Sequence, residues 1–233
     1  MEKHISTQFD AEISAISTRV LEMGGLVESQ IAQAVYALRH FDMDAARGVI
    51  LNEKRVNQLE VEIDADVAAI IAKRQPTARD LRLMMAISKT ITNLERVGDE
   101  ADRVARMARD LIESGTNLAL SFNEIGREAD LAVVQIRKAL DAFARLDEKA
   151  AVDIVSADSA IDAEFDSFMR KLITYVMEDP RNISASLDLV FIAKAIERIG
   201  DHAKNIAEFV IYVVRGTDVR HNKDAFNEVA GTL

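Results

Sequence analysis

The segment Glu95-Arg-Val-Gly-Asp-Glu-Ala101 returns 102 residues later as Glu197-Arg-Ile-Gly-Asp-His-Ala203. In each copy a glutamate and an aspartate are four residues apart, so a helix would direct both carboxylates to one face. Each copy also keeps a glycine inside that turn, where glycine costs about 1 kcal/mol relative to alanine. Because this costly residue recurs at the same place, we expect a neighbouring helix to approach closely at both glycines.

The repeat extends far beyond the motif. Apolar residues recur at steps of three and four over positions 189–213, and subtracting 102 gives positions 87–111, where seven of eight are apolar. At the same offset Leu59-Glu-Val-Glu-Ile-Asp64 aligns with Ile161-Asp-Ala-Glu-Phe-Asp166. A tandem duplication explains this agreement better than chance does.

Three long helices are predicted in each half. Apolar spacing marks the helices, and Pro76 and Pro180 interrupt the chain after the second helix of each half. The predicted ranges are 13–38, 44–73, 77–113, 123–146, 148–177 and 183–215. Because short connections favour antiparallel neighbours, we expect an all-α fold of two tandem, pseudo-symmetric three-helix bundles with long, spectrin-repeat-like helices. The bundles would span residues 1–115 and 116–216, before a partly disordered tail at 217–233.

Composition narrows the classes of function. The 233 residues carry a net charge of −10, which argues against nucleic-acid binding, and they include no cysteine for a disulfide or thiolate site. The N-terminal residues lack the layout of a signal peptide, and no apolar run is long enough to span a bilayer. These observations fit a cytoplasmic protein.

Acidic residues pair at four-residue spacing on two neighbouring helices of each half. These residues are Glu60, Asp64, Glu95 and Asp99 in the first half, and Asp162, Asp166, Glu197 and Asp201 in the second. Four carboxylates in one patch must raise their pKa values, stay hydrated or bind a cation. Their oxygens suit Mg²⁺, Ca²⁺ or Mn²⁺ and can bridge iron. The alternative interpretation is a solvated acidic face with no ligand.

Several other residues have a structural and a functional interpretation. Arg96 and Arg198 are predicted to form surface or inter-helix ion pairs, with contact to an anion or a partner as the alternative. His202 is predicted to be a polar surface residue, with a ligand as the alternative. The pair Met84-Met85 is predicted to lie in the core. The apolar run at 209–214 is either a buried helix end or a surface for a partner or dimer.

Catalytic motifs are absent from the sequence. It contains no nucleophile elbow, phosphate-binding loop or dinucleotide fingerprint. Di-iron bundles use Glu-x-x-His, whereas the histidine nearest to Glu197 is five residues further on. We therefore predict that the protein is not an enzyme. Two competing functions are a carboxylate-bridged metalloenzyme and a purely structural scaffold.

The duplicated Glu-Arg-Val/Ile-Gly-Asp segment on paired three-helix bundles resembles the PhoU family of bacterial phosphate-transport accessory and signalling proteins. Three further stretches resemble its proteobacterial branch: Lys3-His-Ile-Ser-Thr-Gln-Phe-Asp10, Ile71-Ala-Lys-Arg-Gln-Pro-Thr-Ala-Arg-Asp-Leu-Arg82 and Ile173-Thr-Tyr-Val-Met-Glu-Asp179. The resemblance covers residues 3–221.

This resemblance implies a cytoplasmic, dimerising negative regulator without catalytic activity. It would connect the ATPase subunit of the phosphate ABC transporter to the phosphate-sensing histidine kinase, and so restrain phosphate-starvation signalling and phosphate uptake. The family's acidic pattern falls on the eight carboxylates named above, where some members bind iron or zinc.

One departure from the family motif separates the two halves. The fuller motif is present as Gly200-Asp-His-Ala-Lys-Asn205, but the first half reads Gly98-Asp-Glu-Ala-Asp-Arg103. The guanidinium of Arg103 could partly neutralise the nearby carboxylates. We therefore expect the first half to bind metal less well, or to recruit Asp102 as a ligand.

Overall fold

The structure is a computed structural model that describes residues 7–115, 123–157 and 159–232, and within these ranges it contains helices and no strand. The eight α-helices are α1 (Thr7–His40), α2 (Met43–Arg74), α3 (Ala78–Glu113), α4 (Asn123–Arg145), α5 (Glu148–Ser156), α6 (Ser159–Glu178), α7 (Ile183–Arg215) and α8 (Lys223–Ala230). The all-α prediction is confirmed. The predicted boundary at residue 115 adjoins residues outside the described part of the chain, and therefore it stays a prediction.

The first bundle consists of α1, α2 and α3, each of which packs against the other two. The α1–α2 turn is short because Asp42 caps α2 and accepts hydrogen bonds from two backbone N–H groups of its first turn. At the other end Gln75 adopts a left-handed conformation with φ of 48°, and its N–H bonds to Ile71, which closes α2 just before Pro76. Because α2 begins at the Asp42 cap and ends at Gln75, short turns connect α1, α2 and α3 as antiparallel neighbours.

In the second bundle the middle helix is divided in two, where the sequence predicts one helix over 148–177. The helix α5 ends at Ser156, and α6 begins at Ser159. The Ser156 hydroxyl donates to the carbonyl of Val152 at 2.9 Å, and such local bonds compete with the helical ladder. The prediction of a single helix over 148–177 is therefore wrong. Ser156 and Ser159 flank the interruption, whereas the first half has the continuous helix α2.

Two antiparallel helix pairs join the bundles, α1 with α4 and α3 with α7. The first pair is close because α1 and α4 carry glycines at matching positions of the repeat. An added Cβ at Gly24 would lie 2.5 Å from Leu140 Cδ1, and one at Gly126 would lie within the Arg39 guanidinium. Arg39 also pairs with Asp130 at 3.3 Å.

The C-terminal part of the chain decides between the two interpretations of one segment and adds a helix. The run at 209–214 is largely buried, as the interpretation of a buried helix end predicts, and α5 packs against α7. The predicted tail at 217–233 contains the helix α8, which Asn222 caps and which buries Val229. Met84 is in the core as predicted, but Met85 is exposed.

The described helices include none with both the length and the apolar character required to cross a membrane.

Adjacent glycines of α1 provide a test of the packing between the bundles. Gly24→Ala would force its methyl group into Leu140, whereas a Cβ at Gly25 meets nothing within 4 Å. We expect Gly24→Ala to lower the free energy of unfolding by about 1–3 kcal/mol. Gly25→Ala should raise it by about 0.5–1 kcal/mol, because alanine is the better helix former.

Urea unfolding of the two variants measures both changes. Equal changes of the same sign would contradict the described contact between Gly24 and Leu140.

Candidate functional site

The two motif glycines lie where neighbouring helices come close, as expected from the repeat. A Cβ at Gly98 would be 3.2 Å from Glu53 Oε2 and 3.4 Å from Gln30 Oε1. A Cβ at Gly200 would be 2.6 Å from Ile161 Cδ1 and 3.5 Å from Gln135 Oε1. The glycines therefore bring a glutamine of the bundle's first helix against the middle of the motif in both halves.

In the first half, α2 and α3 bring three of the four predicted carboxylates together. Burial raises the pKa of Glu95, and the negative charges of Asp99 and Glu60 raise it further. Glu60 also accepts a hydrogen bond from the Thr92 hydroxyl at 3.1 Å. These groups repel one another as the sequence predicts for a common acidic patch.

Asp64, the fourth predicted carboxylate, lies elsewhere along the groove. It accepts a hydrogen bond from the Ser88 hydroxyl at 2.6 Å. Ser88 is eleven residues before Asp99 on the same helix, a separation of ~16 Å along its axis. Asp64 lies far from Asp99 because α2 and α3 are antiparallel. A residue nearer the C-terminus of α2 lies opposite a residue nearer the N-terminus of α3. The grouping of Asp64 with Asp99 is therefore wrong.

Glu53, which the sequence analysis does not include, takes that place in the patch. Burial and the charges of Asp99 and Asp102 raise the pKa of Glu53 to about 7. Gln30 donates to Glu53 Oε2 at 3.4 Å. Glu53 Oε1 and Asp102 Oδ1 are buried without a hydrogen-bond partner among the described residues. Glu53 precedes Glu60 by seven residues, and this heptad spacing is the signal that could have identified it.

In the second half the buried acidic group differs from the predicted one. Glu197 lies beside Lys194, with Nζ 2.5 Å from Oε2. Glu128 of α4 is 0% exposed, and among the described residues neither of its carboxyl oxygens has a hydrogen-bond partner. Burial first, and then the charges of Glu197 and Glu164, raise the pKa of Glu128 to about 9. Glu128 is therefore protonated at neutral pH.

The other three predicted carboxylates of the second half, Asp162, Asp166 and Asp201, are exposed. Glu128 replaces an apolar residue within the buried seam of α4, and this break in the pattern could have identified it. Over the described ranges, no three histidine, aspartate or glutamate side chains are placed to hold a metal ion. The donor atoms are nevertheless all oxygens, and this set suits a hard cation.

The basic residues of the motif face the other bundle. Arg198 of α7 donates to Glu100 of α3 at 3.1 Å, which confirms the predicted inter-helix ion pair. Arg103 also lies against Glu100, at 3.4 Å, and we infer that it neutralises this carboxylate rather than the acidic patch. The first-half site is therefore less weakened by Arg103 than the motif suggests.

His202 belongs to the same junction between α3 and α7. Its Nδ1 lies 2.9 Å from Asn93 Oδ1, which also accepts from Asn205 at 3.1 Å. Burial, and then the positive charges of Arg96 and Arg198, lower the pKa of His202 to about 4. His202 is thus a neutral, partly buried contact between the bundles, and the prediction of a polar surface residue is wrong.

The Glu53 carboxyl predicts a pH dependence of stability. Because its folded pKa of about 7 exceeds the unfolded value of 4.5, its ionisation costs stability as pH rises through this interval. Glu53→Gln should therefore match the parent protein below pH 4.5, and it should be more stable by about 1–3 kcal/mol at pH 8. Urea unfolding in the presence of a chelator measures this difference, and a gain of equal size at low pH would count against it.

Comparison with known proteins identifies relatives across the whole chain. The PhoU domain family matches residues 20–108 and again residues 125–210. A Burkholderia phosphate-specific transport system accessory protein PhoU homolog is 49% identical over 222 residues, which is 95% of this chain and 94% of that protein. The phosphate-specific transport system accessory protein PhoU of Escherichia coli K12 is 47% identical, over 95% of this chain and 91% of that protein.

Solved structures agree with this family relationship. The crystal structure of PhoU from Pseudomonas aeruginosa is 44% identical and superimposes with a TM-score of 0.86, over 90% of this chain and 100% of that one. The phosphate transport system regulatory protein PhoU from Streptococcus pneumoniae is 26% identical, with a TM-score of 0.84, over 91% of this chain and 99% of that one. The chain therefore belongs to the PhoU family.

Proposed function

We propose that this protein is a negative regulator of phosphate-starvation signalling and phosphate uptake. The observation that carries the proposal is the match of both bundles to the PhoU domain, together with the names of relatives that span the whole chain. Those relatives are accessory proteins of phosphate-specific transport systems. The protein would contribute to phosphate homeostasis by restraining the response when phosphate is plentiful.

The mechanism that we propose is non-catalytic. The protein acts as an adaptor in the cytoplasm, between the ATPase subunit of a phosphate ABC transporter and a phosphate-sensing histidine kinase. It approaches the inner membrane only through these partners, and it works as a homodimer. Long helices with exposed side chains supply contacts of the kind that helix packing uses.

A metal ion is the second part of the proposal, and we place it in the first bundle. Glu53, Glu60, Glu95 and Asp99 are not placed as ligands in the described structure, and they would have to turn toward a bound ion. Burial and repulsion between neighbouring carboxylates favour such binding, since they raise the pKa values of Glu53 and Glu95. In the second bundle Lys194 already neutralises Glu197, and Glu128 holds its proton. A bound hard cation such as Mg²⁺ or Mn²⁺, or an iron or zinc ion, would neutralise the first patch. The second bundle should therefore bind metal less tightly than the first. This is the reverse of the order that Arg103 suggests in the sequence.

Deletion of the gene tests the regulatory role. Without the protein, a reporter of phosphate-starvation genes should be active in high phosphate, and a plasmid copy should restore repression. Normal repression in the deletion strain would refute the proposal.

Metal titration tests the unequal sites. Chelator-treated protein titrated with Mn²⁺ in a calorimeter should show one tighter site, which Glu53→Gln together with Asp99→Asn removes. Glu197→Gln is the matched change in the other bundle and should leave the tighter site intact. Two equal affinities, or loss of the tighter site in Glu197→Gln, would show that the assignment to the first bundle is incorrect.

A further inference from the structure

The junction between α3 and α7 carries two arginines at equivalent positions of the repeat, Arg96 and Arg198. Both side chains are exposed. Arg198 donates to Glu100 of α3 at 3.1 Å across the junction. Arg96 forms no hydrogen bond or ion pair with any residue that the structure describes. One of two equivalent cations is therefore paired across the junction, and the other is not.

The register of the junction places Arg96 opposite His202. Because α3 and α7 are antiparallel, each step forward on α7 from the contact between Arg198 and Glu100 corresponds to an equal step back on α3. Four residues after Arg198 is His202, and four residues before Glu100 is Arg96. The positive charge of Arg96 reaches the imidazole, since it helps to lower the pKa of His202. The two side chains therefore face one another at the junction.

The second half lacks the carboxylate that would complete this pair. Glu100 and His202 hold equivalent positions in the two halves. Arg198 thus faces a carboxylate, whereas Arg96 faces an imidazole that is neutral above the ordinary histidine pKa of about 6.5. Arg103 lies against the same Glu100 at 3.4 Å. Three guanidinium groups share one carboxylate, so this part of the junction keeps an excess of positive charge in a protein that is acidic overall.

The other charged side chains on these stretches of α3 and α7 have interactions of their own. Each takes part in an ion pair, a hydrogen bond or another electrostatic interaction: Glu95, Asp99, Asp102, Lys194, Glu197, Asp201 and Lys204. Glu95 adjoins Arg96 in the sequence, and the charge of Arg96 opposes the rise in the pKa of Glu95 that burial causes. The two side chains form no ion pair, and Arg96 remains available to an external anion.

Hydrogen bonds fix the tautomer of His202. Asn93 donates its amide Nδ2 to the carbonyl of Lys89 at 2.8 Å, which leaves Asn93 Oδ1 as an acceptor. That oxygen accepts from Asn205 at 3.1 Å and lies 2.9 Å from His202 Nδ1, so Nδ1 carries the proton. The other nitrogen of neutral His202, Nε2, is therefore an acceptor. Within the described ranges Nε2 has no hydrogen-bond partner.

We propose that Arg96 and His202 bind a hydrogen phosphate group at the α3–α7 junction. An anionic phosphate oxygen accepts from the guanidinium of Arg96, and the P–OH group donates to Nε2 of His202. Hydrogen phosphate supplies both an acceptor and a donor at neutral pH, whereas sulfate supplies acceptors alone. The bound anion offsets the charge of Arg96 as Glu100 offsets that of Arg198. It contacts both bundles and stabilises the junction between them.

The phosphate group can come from free inorganic phosphate or from a phosphate monoester. Both provide anionic oxygens, and both provide a P–OH group in their protonated form. Because the Arg96 side chain is exposed, a substituent on the phosphate would have access to solvent. Binding at this junction goes beyond the proposed regulatory function and is independent of it, since purified protein binds phosphate or fails to do so whatever its partners are.

Calorimetry on chelator-treated, full-length protein at pH 8 tests the site, because a histidine of ordinary pKa is neutral there. Inorganic phosphate should bind saturably, and sulfate should bind roughly tenfold more weakly, since it leaves Nε2 facing another acceptor. Arg96→Gln should weaken phosphate binding roughly tenfold or more, because it removes charge-assisted hydrogen bonds. Arg55→Gln makes the same change of charge at an exposed position of α2 and should leave binding unchanged.

A second variant supplies the missing carboxylate. His202→Glu gives Arg96 the partner that Glu100 gives Arg198, and it should abolish phosphate binding. Circular dichroism establishes that the variants remain helical before they are compared. In urea unfolding, phosphate should raise the midpoint of the parent protein and of Arg55→Gln, but not that of Arg96→Gln, because a ligand stabilises only the state that binds it.

Four results would overturn the proposal. These are no saturable binding of phosphate by the parent protein, equal binding of sulfate, undiminished binding by Arg96→Gln or His202→Glu, and the same loss in Arg55→Gln. Titration with glycerol phosphate separates the two sources of the group. Tighter binding of the monoester than of inorganic phosphate identifies a phosphorylated ligand, and weaker binding identifies free phosphate.

Discussion

The antiparallel packing of α3 against α7 is the contact on which the arrangement of the two bundles depends. Both helices bury an apolar seam in their own bundle, and both turn the motif arginine or its neighbours toward the other bundle. Glu100, Arg103 and Arg198 form the charged part of this junction. Because the two guanidinium groups offset the Glu100 carboxylate, the two central helices can approach closely in a protein that is acidic overall.

Glu95, Asp99 and Glu197 of the motif face the opposite way from Glu100, toward the groove within their own bundle. Their repulsion is tolerated because Glu53 and Glu128 hold protons more tightly than ordinary glutamates do. The basic partners in the two bundles differ. Lys194 lies against Glu197 in the second bundle, whereas Arg106 lies against Asp102 in the first. Duplication therefore preserved the fold while the electrostatic balance of the halves diverged.

The fold could be predicted from the sequence because its signals are local. The apolar steps of three and four predict α3 and α7, and Pro76 and Pro180 mark the hairpins. The division at Ser156 was not predicted, since a pair of serines interrupts a helix only when packing permits it. The short α8 was also missed, because a helix of 8 residues that buries Val229 leaves little periodicity to detect.

The candidate site was predicted only in part, because its membership depends on the register between helices. Residues four apart on one helix share a face, and this identifies Glu95 with Asp99. Which residue of α2 lies opposite them depends on the length of the hairpin turn, and a displacement of about three turns replaces Asp64 by Glu53. Glu128 lies on a third helix, α4, and no motif in the sequence indicates which face of α4 turns toward the other carboxylates.

The heptapeptide repeated on α3 and α7 serves two surfaces at once. Glu197 belongs to the interior of one bundle, and Arg198, its immediate neighbour, reaches the other bundle. Since consecutive residues on a helix are about 100° apart, any rolling of α7 about its long axis moves both groups together. A rotation of α7 that moved Glu197 within its bundle would therefore also move Arg198 relative to Glu100 of the other bundle.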